Sequence, residues 1–250
     1  MLSAAQLRGL SARFDAPQVQ AVLLVGSYAR GDAGPYSDVD ILRLTPSPLP
    51  EVRSHLWQDK LVNVTDADPE TSEAWFTEPE QAVEVVLGLR DARVLLDREG
   101  AAEALVARAR AFVWTPELQE KADRWASTQL ASWSEEAHKG LAGLQSGSVG
   151  KLLNAQFGLS WGLAKTVRVQ RGLLFSNDNA FLTDLQSAFA GTRWLGLLHD
   201  VYGLTGLTLP QQVRAGLNLY ALTAELLKEV LQARDRPVIT HTVALIRLGR

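Results

Sequence analysis

Two aspartates lie two residues apart at the start of an apolar run. Asp38 and Asp40 flank Val39, and Ile41 follows them directly. Because a strand places residues i and i+2 on the same face, both carboxylates are predicted to point the same way. Two like charges at that separation repel unless a cation lies between them, and Mg²⁺ prefers one or two carboxylates combined with phosphate oxygens. The pair therefore predicts a Mg²⁺ site that also binds phosphate.

A Gly-Ser pair precedes the aspartates and ends an earlier apolar run. Gly26 and Ser27 can offer backbone N–H groups and a hydroxyl to the phosphates of a ligand. Arg30 either helps to hold those phosphates or pairs with Asp32. The stretch as a whole, residues 22–41, predicts a site for a metal and a nucleoside triphosphate.

Two strands must position this stretch. We predict the first over residues 19–25 and the second over about residues 37–44, with polar turn residues between them. Three prolines within residues 45–50 then interrupt the regular secondary structure. Further predicted elements of this half are a helix before Pro17, a hairpin of strands at 52–57 and 60–65, a helix at 69–89 interrupted at Pro79, a strand at 92–97 and a helix at 101–112.

The second half of the chain has no clear strand pattern. Thr115 can cap a helix that begins at Pro116, so we place a domain boundary there. Helices are predicted at 116–145, 149–172, 178–190, 193–202 and 210–234. Apolar and polar residues alternate weakly in the tail after Pro237. This pattern is compatible with a strand and with an extended arm that packs on the rest of the protein. The predicted fold is α+β, with a mixed-sheet domain over residues 1–114 and an all-α helical bundle over residues 115–250.

Composition narrows the possible functions. The net charge is -3 and no long Lys/Arg block occurs, so the charge pattern of a general nucleic-acid binder is missing. The chain has no cysteine and four scattered histidines, which argues against zinc sites, thiol catalysis and disulfides. With no apolar leader and no apolar run of about 18 residues, we expect a cytoplasmic protein with no membrane partner.

The order of these features resembles a known signature. An apolar strand, Gly26-Ser27, a polar segment, Asp38-Val-Asp40 and a second apolar strand resemble the motif of the DNA-polymerase-β-like nucleotidyltransferase superfamily. The segment Gly34-Pro-Tyr-Ser-Asp38 resembles that of the kanamycin nucleotidyltransferases, the aminoglycoside 4′-adenylyltransferases, although those enzymes have Glu where Asp40 stands here. They also join this catalytic domain to a C-terminal helical bundle, as predicted for this chain.

A second segment extends the resemblance into the helical half. The sequence Glu135-Glu-Ala-His-Lys139 is similar to the helix that carries the catalytic general base of those enzymes. The resemblance implies that Glu135 is the base and that Lys139 contacts the nucleotide phosphates. Residues i and i+4 share one helix face, so the pair can act together. The same spacing is also the commonest ion pair of a solvated helix, and that alternative stays open.

The resemblance implies a Mg²⁺-dependent enzyme that uses a nucleoside triphosphate, with ATP favoured. It would transfer a nucleoside monophosphate to a hydroxyl of a small molecule, with an aminoglycoside antibiotic as the favoured acceptor. The alternatives are transfer to a protein or an RNA end, and a nucleotide-binding protein with weakened catalysis. A homodimer is also open, because related enzymes can build the site from two subunits.

One position departs from the family pattern. The family has a third carboxylate on the strand after the Asp-x-Asp strand, and aligning the central polar residue of residues 61–65 places Asn63 there. An amide binds Mg²⁺ weakly and brings no negative charge. Asp66 is three residues further on, so the alternation of a strand directs it to the opposite face unless a bulge intervenes.

Overall fold

A computed structural model describes residues 1–47, 53–175 and 177–249. The chain divides into two compact units. The first is Met1–Trp114 with Leu174–Asp178, and the second is Thr115–Leu173 with Asn179–Arg250. Half of the predicted proline-rich break, residues 48–50, and the start of the strand predicted at 52–57 lie outside the described residues.

The first unit alternates short strands and helices. In chain order its elements are α1 (Ala4–Phe14), β1 (Ala21–Val25), α2 (Gly26–Arg30), β2 (Val39–Leu44), β3 (Ser54–Trp57), β4 (Lys60–Ala67), α3 (Pro69–Thr77), α4 (Pro79–Arg90), β5 (Arg93–Asp97) and α5 (Ala101–Ala111). The predicted interruption at Pro79 is confirmed, because α3 ends at Thr77 and Pro79 opens α4. Proline is tolerated in the first turn of a helix, where its missing N–H has no intrahelical partner in any case.

The five strands form one mixed sheet in the order β3-β4-β2-β1-β5. Strands β2 and β4 pair in parallel, and the other three pairs are antiparallel. Helix α1 packs Leu10 and Phe14 into a core with apolar residues of β1 and β2, and burying each such side chain stabilises the fold by about 1.5–3 kcal/mol. The predicted α+β class, a mixed sheet followed by helices, is confirmed.

The predicted hairpin is present as β3 and β4. Its two-residue turn, Gln58-Asp59, has φ angles of 47° and 58°. Positive φ at both central residues is the mark of a type I′ turn, whose twist matches that of paired strands. The turn sets the register that pairs Ser54 with Asn63.

The second unit is helical throughout its described residues. Its elements are α6 (Pro116–Ser132), α7 (Ser134–Ser146), α8 (Val149–Phe157), a π-helical turn (Gly158–Gly162), α9 (Leu163–Gln170), a 3₁₀ turn (Asp178–Ala180), α10 (Phe181–Ala188), α11 (Arg193–Val201), α12 (Leu209–Leu226) and α13 (Arg236–Leu248). Among these residues, no helix combines the length and apolar character needed to cross a membrane.

Three predictions for this unit are wrong. The helix predicted over 210–234 ends at Leu226, the last residue of α12. The helix predicted over 116–145 is two helices separated at Trp133, whose indole packs against Gly162. The tail is helix α13 and neither a strand nor an extended arm. Its buried residues Ile239, Thr242 and Ile246 recur at helical spacing. The weak alternation of apolar and polar residues in the same segment made this helical pattern hard to recognise from the sequence.

Candidate active site

The Gly-Ser turn brings backbone close to one of the two aspartates. Strand β1 ends at Val25, and Gly26 then adopts φ +68° before the short helix α2. A Cβ atom at this position would overlap the Oδ2 atom of Asp40. Only glycine therefore meets both needs, a left-handed backbone and room for the carboxylate.

The two aspartates lie at the start of β2. Asp40 is paired across the sheet with Val25 on one side and with Asn63 on the other, and Asp38 immediately precedes the strand. Both side chains are half-buried. The pKa of Asp40 is raised to about 6; burial is the largest cause, the neighbouring charge of Asp38 acts in the same direction, and Arg30 opposes the shift. Like charges held together in this way destabilise the ionised pair.

This arrangement fits a Mg²⁺ ion. Two carboxylates are close enough for Asp38 to raise the pKa of Asp40, and a cation beside them would offset that repulsion. Among the described residues, no group of three or more His, Cys, Asp or Glu side chains is positioned to hold a metal. Mg²⁺ is compatible with so few protein ligands, because it commonly keeps water and takes phosphate oxygens from the bound nucleotide.

Asn63 occupies the place beside the aspartates where the family pattern has a third carboxylate. Its Nδ2 donates a 2.5 Å hydrogen bond to Oδ2 of Asp38, and its Oδ1 accepts a 2.9 Å hydrogen bond from Oγ of Ser54. The amide orients Asp38 and adds no charge. The sequence analysis missed Ser54, although a polar residue opposite Asn63 in the hairpin was the available signal.

Asp66 lies on the other face of the sheet, as the alternation of β4 predicts. It is paired with Arg43 in the register, and Nε of Arg43 is 2.7 Å from its Oδ1. The two side chains are only 3% and 11% exposed. Asp66 thus belongs to a buried ion pair and is not a third carboxylate for the metal site.

Arg30 lies at the end of α2. Its Nε is 3.2 Å from Oδ2 of Asp32, so the predicted pairing with Asp32 is present. Its charge also lowers the pKa of Asp40 against the larger effect of burial. The guanidinium therefore supplies positive potential at the aspartates.

Glu135 and Lys139 lie near the start of α7 in the second unit. Nζ of Lys139 is 2.8 Å from Glu135 and 2.7 Å from Glu136. The hydrogen bond from Lys139 lowers the pKa of Glu135, and the hydrogen bonds to both glutamates raise the pKa of Lys139. Glu135 is 74% exposed, which leaves its carboxylate accessible to a substrate.

Glu136, the neighbour of Glu135 on α7, is largely buried. Its side chain is 17% exposed, and its Oε2 has no hydrogen-bond partner among the described residues. It packs on Gly158, where a Cβ atom would approach its Cγ to 2.5 Å. The small residue on the facing helix was the only sequence signal for this burial.

The structure brings the predicted residues together in two separate sets. Gly26, Asp38 and Asp40 meet in the first unit, with Ser27 next to them in α2. Glu135 and Lys139 meet in the second unit. The first set contains carboxylates and backbone N–H groups, the kinds of group that bind cations and phosphates, and the second presents an ionised carboxylate held by a lysine.

Comparison with known proteins agrees with the chemistry of the first set. Residues 6–91 match the family model described as a nucleotidyltransferase domain, a range that includes Gly26, both aspartates and Asn63. The match supports nucleotidyl transfer as the general activity and implies a nucleoside triphosphate as substrate. No curated protein matches the chain.

A solved structure has a similar fold. It is a nucleotidyltransferase-like protein from Exiguobacterium sibiricum 255-15, which aligns with a TM-score of 0.50 at 15% sequence identity. The alignment covers 89% of this chain and 73% of the other. At this identity the similarity establishes the fold, a nucleotidyltransferase sheet followed by helices, and nothing about the acceptor.

Proposed function

We propose that this protein is a Mg²⁺-dependent nucleotidyltransferase that transfers a nucleoside monophosphate, most favourably from ATP, to a hydroxyl of a small molecule. The observation that carries the proposal is the close approach of the Gly26 backbone to Asp40, with Asp38 beside it. A glycine turn next to two clustered carboxylates offers both a place for phosphates and a place for their metal.

Asp38 and Asp40 would hold the Mg²⁺ ion, and Asn63 would keep Asp38 oriented through its 2.5 Å hydrogen bond. Backbone N–H groups at Gly26 and the hydroxyl of Ser27 would bind the outer phosphates. When bound, Mg²⁺ neutralises negative charge that builds up on the phosphates during the transfer.

The acceptor hydroxyl needs a base, and we assign that role to Glu135. Its carboxylate would take the hydroxyl proton while the oxygen forms a bond to the α-phosphorus. The bond from that phosphorus to the bridging oxygen breaks at the same time, and pyrophosphate leaves. Lys139 would bind phosphate oxygens, and its pairing with Glu135 over 2.8 Å keeps the base ionised.

An aminoglycoside is the acceptor we favour. The support is the resemblance of Gly34–Asp38 and Glu135–Lys139 to the kanamycin nucleotidyltransferases, together with the net charge of -3, which suits a polycationic substrate. Acceptor identity varies widely among proteins of one fold. The acceptor is therefore the part of the proposal that most needs an experiment.

The test is to incubate the protein with Mg²⁺, each nucleoside triphosphate in turn and a panel of aminoglycosides, and to analyse the products by mass spectrometry. We expect one drug class to gain the mass of one nucleoside monophosphate, with an equal amount of pyrophosphate released. Pyrophosphate release with a different hydroxyl acceptor would support the transferase activity and show that the acceptor is not an aminoglycoside. Absence of transfer to any acceptor would contradict the transferase activity itself.

A nucleotide-binding protein with weakened catalysis is the second candidate, and Asn63 favours it. An amide at this position leaves two carboxylates where the family pattern has three. Under this candidate, Mg²⁺ and nucleotide raise the melting temperature, yet no pyrophosphate appears. Substituting Asn63→Asp then separates the candidates, because a gain of transfer would show that the missing carboxylate limits the native protein.

A further inference from the structure

Two glutamates of α7 share one lysine, and their surroundings differ. Nζ of Lys139 is 2.7 Å from Oε1 of Glu136 and 2.8 Å from Oε1 of Glu135. The side chain of Glu135 is 74% exposed, that of Lys139 is 34% exposed and that of Glu136 is 17% exposed. One ammonium group therefore joins an exposed carboxylate to a largely buried one.

The Glu136 side chain lies over Gly158, the first residue of the π-helical turn. A Cβ atom on Gly158 would come within 2.5 Å of Cγ of Glu136 and within 3.3 Å of the indole ring of Trp133. The backbone of Gly158 is helical, with a φ of -65°, so its conformation suits any residue. Glycine at this position thus provides the room that the Glu136 side chain occupies.

The charge of Glu136 depends on Lys139 for compensation. Oε2 of Glu136 is buried and has no hydrogen-bond partner in the part of the chain that the structure describes. A buried charge without a partner is costly because water cannot solvate it. Breaking a buried ion pair is therefore strongly destabilising, whereas an exposed pair contributes little. Of the two contacts that Lys139 makes, the contact with Glu136 is the more costly to break.

The start of α7 is fixed by contacts that do not involve Glu136. Oγ of Ser134 and the hydroxyl of Tyr220 are joined by a buried 2.8 Å hydrogen bond, and the same hydroxyl donates to the carbonyl of Leu130 across 3.1 Å. These bonds tie α12 to both sides of the break at Trp133. An apolar side chain of similar volume often replaces a buried ion-pair member together with its partner at no loss of stability. Packing alone thus does not account for a carboxylate at position 136.

We propose that Glu136 is a positioning residue that holds the ammonium group of Lys139 in place and leaves Glu135 free to act as the base. The proposal rests on the proposed transferase function, in which Glu135 takes the proton of the acceptor hydroxyl and Lys139 binds phosphate oxygens. An ammonium group has three N–H donors. Glu136 keeps one of them throughout, Glu135 accepts a second one before the acceptor binds, and the third is available to a phosphate oxygen.

This arrangement resolves a conflict between the two roles assigned to the helical pair. A lysine held by Glu135 alone would either leave it on binding phosphate or keep its carboxylate occupied when the acceptor arrives. A second, buried carboxylate removes the conflict, because the ammonium group keeps its place while Glu135 accepts the proton of the acceptor. Groups that act on a substrate need this kind of support, since a small displacement lowers the rate strongly.

The first experiment observes the ammonium group of Lys139 by ¹⁵N NMR of the full chain labelled at its lysine side chains, with Lys139→Arg to assign the signal. Such a signal persists only where the group is held and its protons exchange slowly with water. We expect it in wild type and in Glu135→Gln, and we expect Glu136→Gln to lose it. A wild type without the signal, or a signal that survives in Glu136→Gln, would overturn the proposal.

The second experiment displaces Glu136 without changing any charge. Gly158→Ala places a Cβ atom against Cγ of Glu136, whereas a Cβ atom on Gly150, in the preceding helix α8, meets no atom within 4 Å. We expect Gly158→Ala to raise KM for the nucleoside triphosphate about 10-fold and to change kcat less than about threefold, because phosphate binding by Lys139 is common to the ground state and the transition state. The control Gly150→Ala should leave both constants unchanged.

Melting curves verify that each variant folds. Glu136→Asp, which keeps the charge and withdraws it from Lys139, replaces Gly158→Ala if that variant does not fold. An unchanged KM in the variant, with transfer by wild type intact, would leave the transferase in place and overturn the role of Glu136. A wild type that releases no pyrophosphate would instead contradict the proposed function. In that case the NMR signal and the dissociation constant of Mg²⁺–ATP in the same variants decide whether Glu136 holds Lys139.

Discussion

The aspartate pair of the first unit and the Glu135–Lys139 pair of the second differ in what holds them. Asp38 and Asp40 are half-buried at a strand that pairs with strands on both sides, and they repel each other. Glu135 and Lys139 are four residues apart on one helix and attract each other across 2.8 Å. The first pair exists because the sheet imposes it, whereas the second would form on any exposed helix.

This difference is informative about function. Repulsion between half-buried carboxylates costs stability, and a bound cation would compensate for it. An exposed ion pair contributes little to stability and is a weak functional signal by itself. The aspartates therefore support the proposed metal and nucleotide site more strongly than the Glu135–Lys139 pair supports a catalytic base.

Asp38→Asn should have the largest effect on the aspartate site. We expect transfer to fall at least about 1,000-fold, because one of two charged metal ligands is lost. Asparagine keeps an oxygen that can accept from Asn63, so the melting temperature without nucleotide should stay close to wild type. The measurement is initial rate of pyrophosphate release beside a melting curve, with the exposed Asp32→Asn as control. Undiminished activity would remove the metal role from Asp38.

Asp66→Asn tests the opposite face of the same sheet. The change removes the carboxylate charge that faces the buried guanidinium of Arg43, and we expect the free energy of unfolding to drop by about 3 kcal/mol. Denaturant titration measures the loss. Glu73→Gln, in the exposed ion pair with Arg108, is the matched control and should leave stability nearly unchanged. Metal-dependent activity at temperatures where the variant is folded should persist.

Glu135→Gln tests whether the helical pair is more than a surface ion pair. If Glu135 is the base, transfer should fall about 100-fold while nucleotide binding stays constant. The control is Glu120→Gln, which breaks another exposed i,i+4 pair, that with Arg124. Equal rates for the two variants would show that Glu135 is a solvated side chain and that another residue is the base.

Asp40→Asn should change the stability of the metal-free protein by a small amount, and the change should be a gain. A pKa raised to about 6 from an ordinary 3.8 means that the stability contributed by protonated Asp40 is present below pH 3.8 and is lost as the pH rises through about 6. Near pH 8 the free energy of unfolding of the variant should exceed that of wild type by about 1 kcal/mol, after allowance for the partial exposure of Asp40. The gap should close as the pH falls towards 4. A stability difference that does not change with pH would contradict the raised pKa of Asp40, which burial and the charge of Asp38 cause.

Much of the site was predictable because its signals are local. The Gly-Ser turn, the spacing of the aspartates and the position of Asn63 all depend on strand alternation and turn chemistry. The helical tail and the break at Trp133 were not predictable in this way. Both depend on packing partners far along the chain, such as Gly162 against Trp133.

The amino-acid sequence alone determined the mixed sheet, the helical second half and the residues proposed to bind metal and phosphate, since periodicity and backbone preference act over a few neighbouring residues. Tertiary structure decided which of those residues interact. It placed Asp40 between Val25 and Asn63 and buried Asp66 with Arg43. Burial and pairing between distant side chains arise only when distant segments meet, and no local pattern records them.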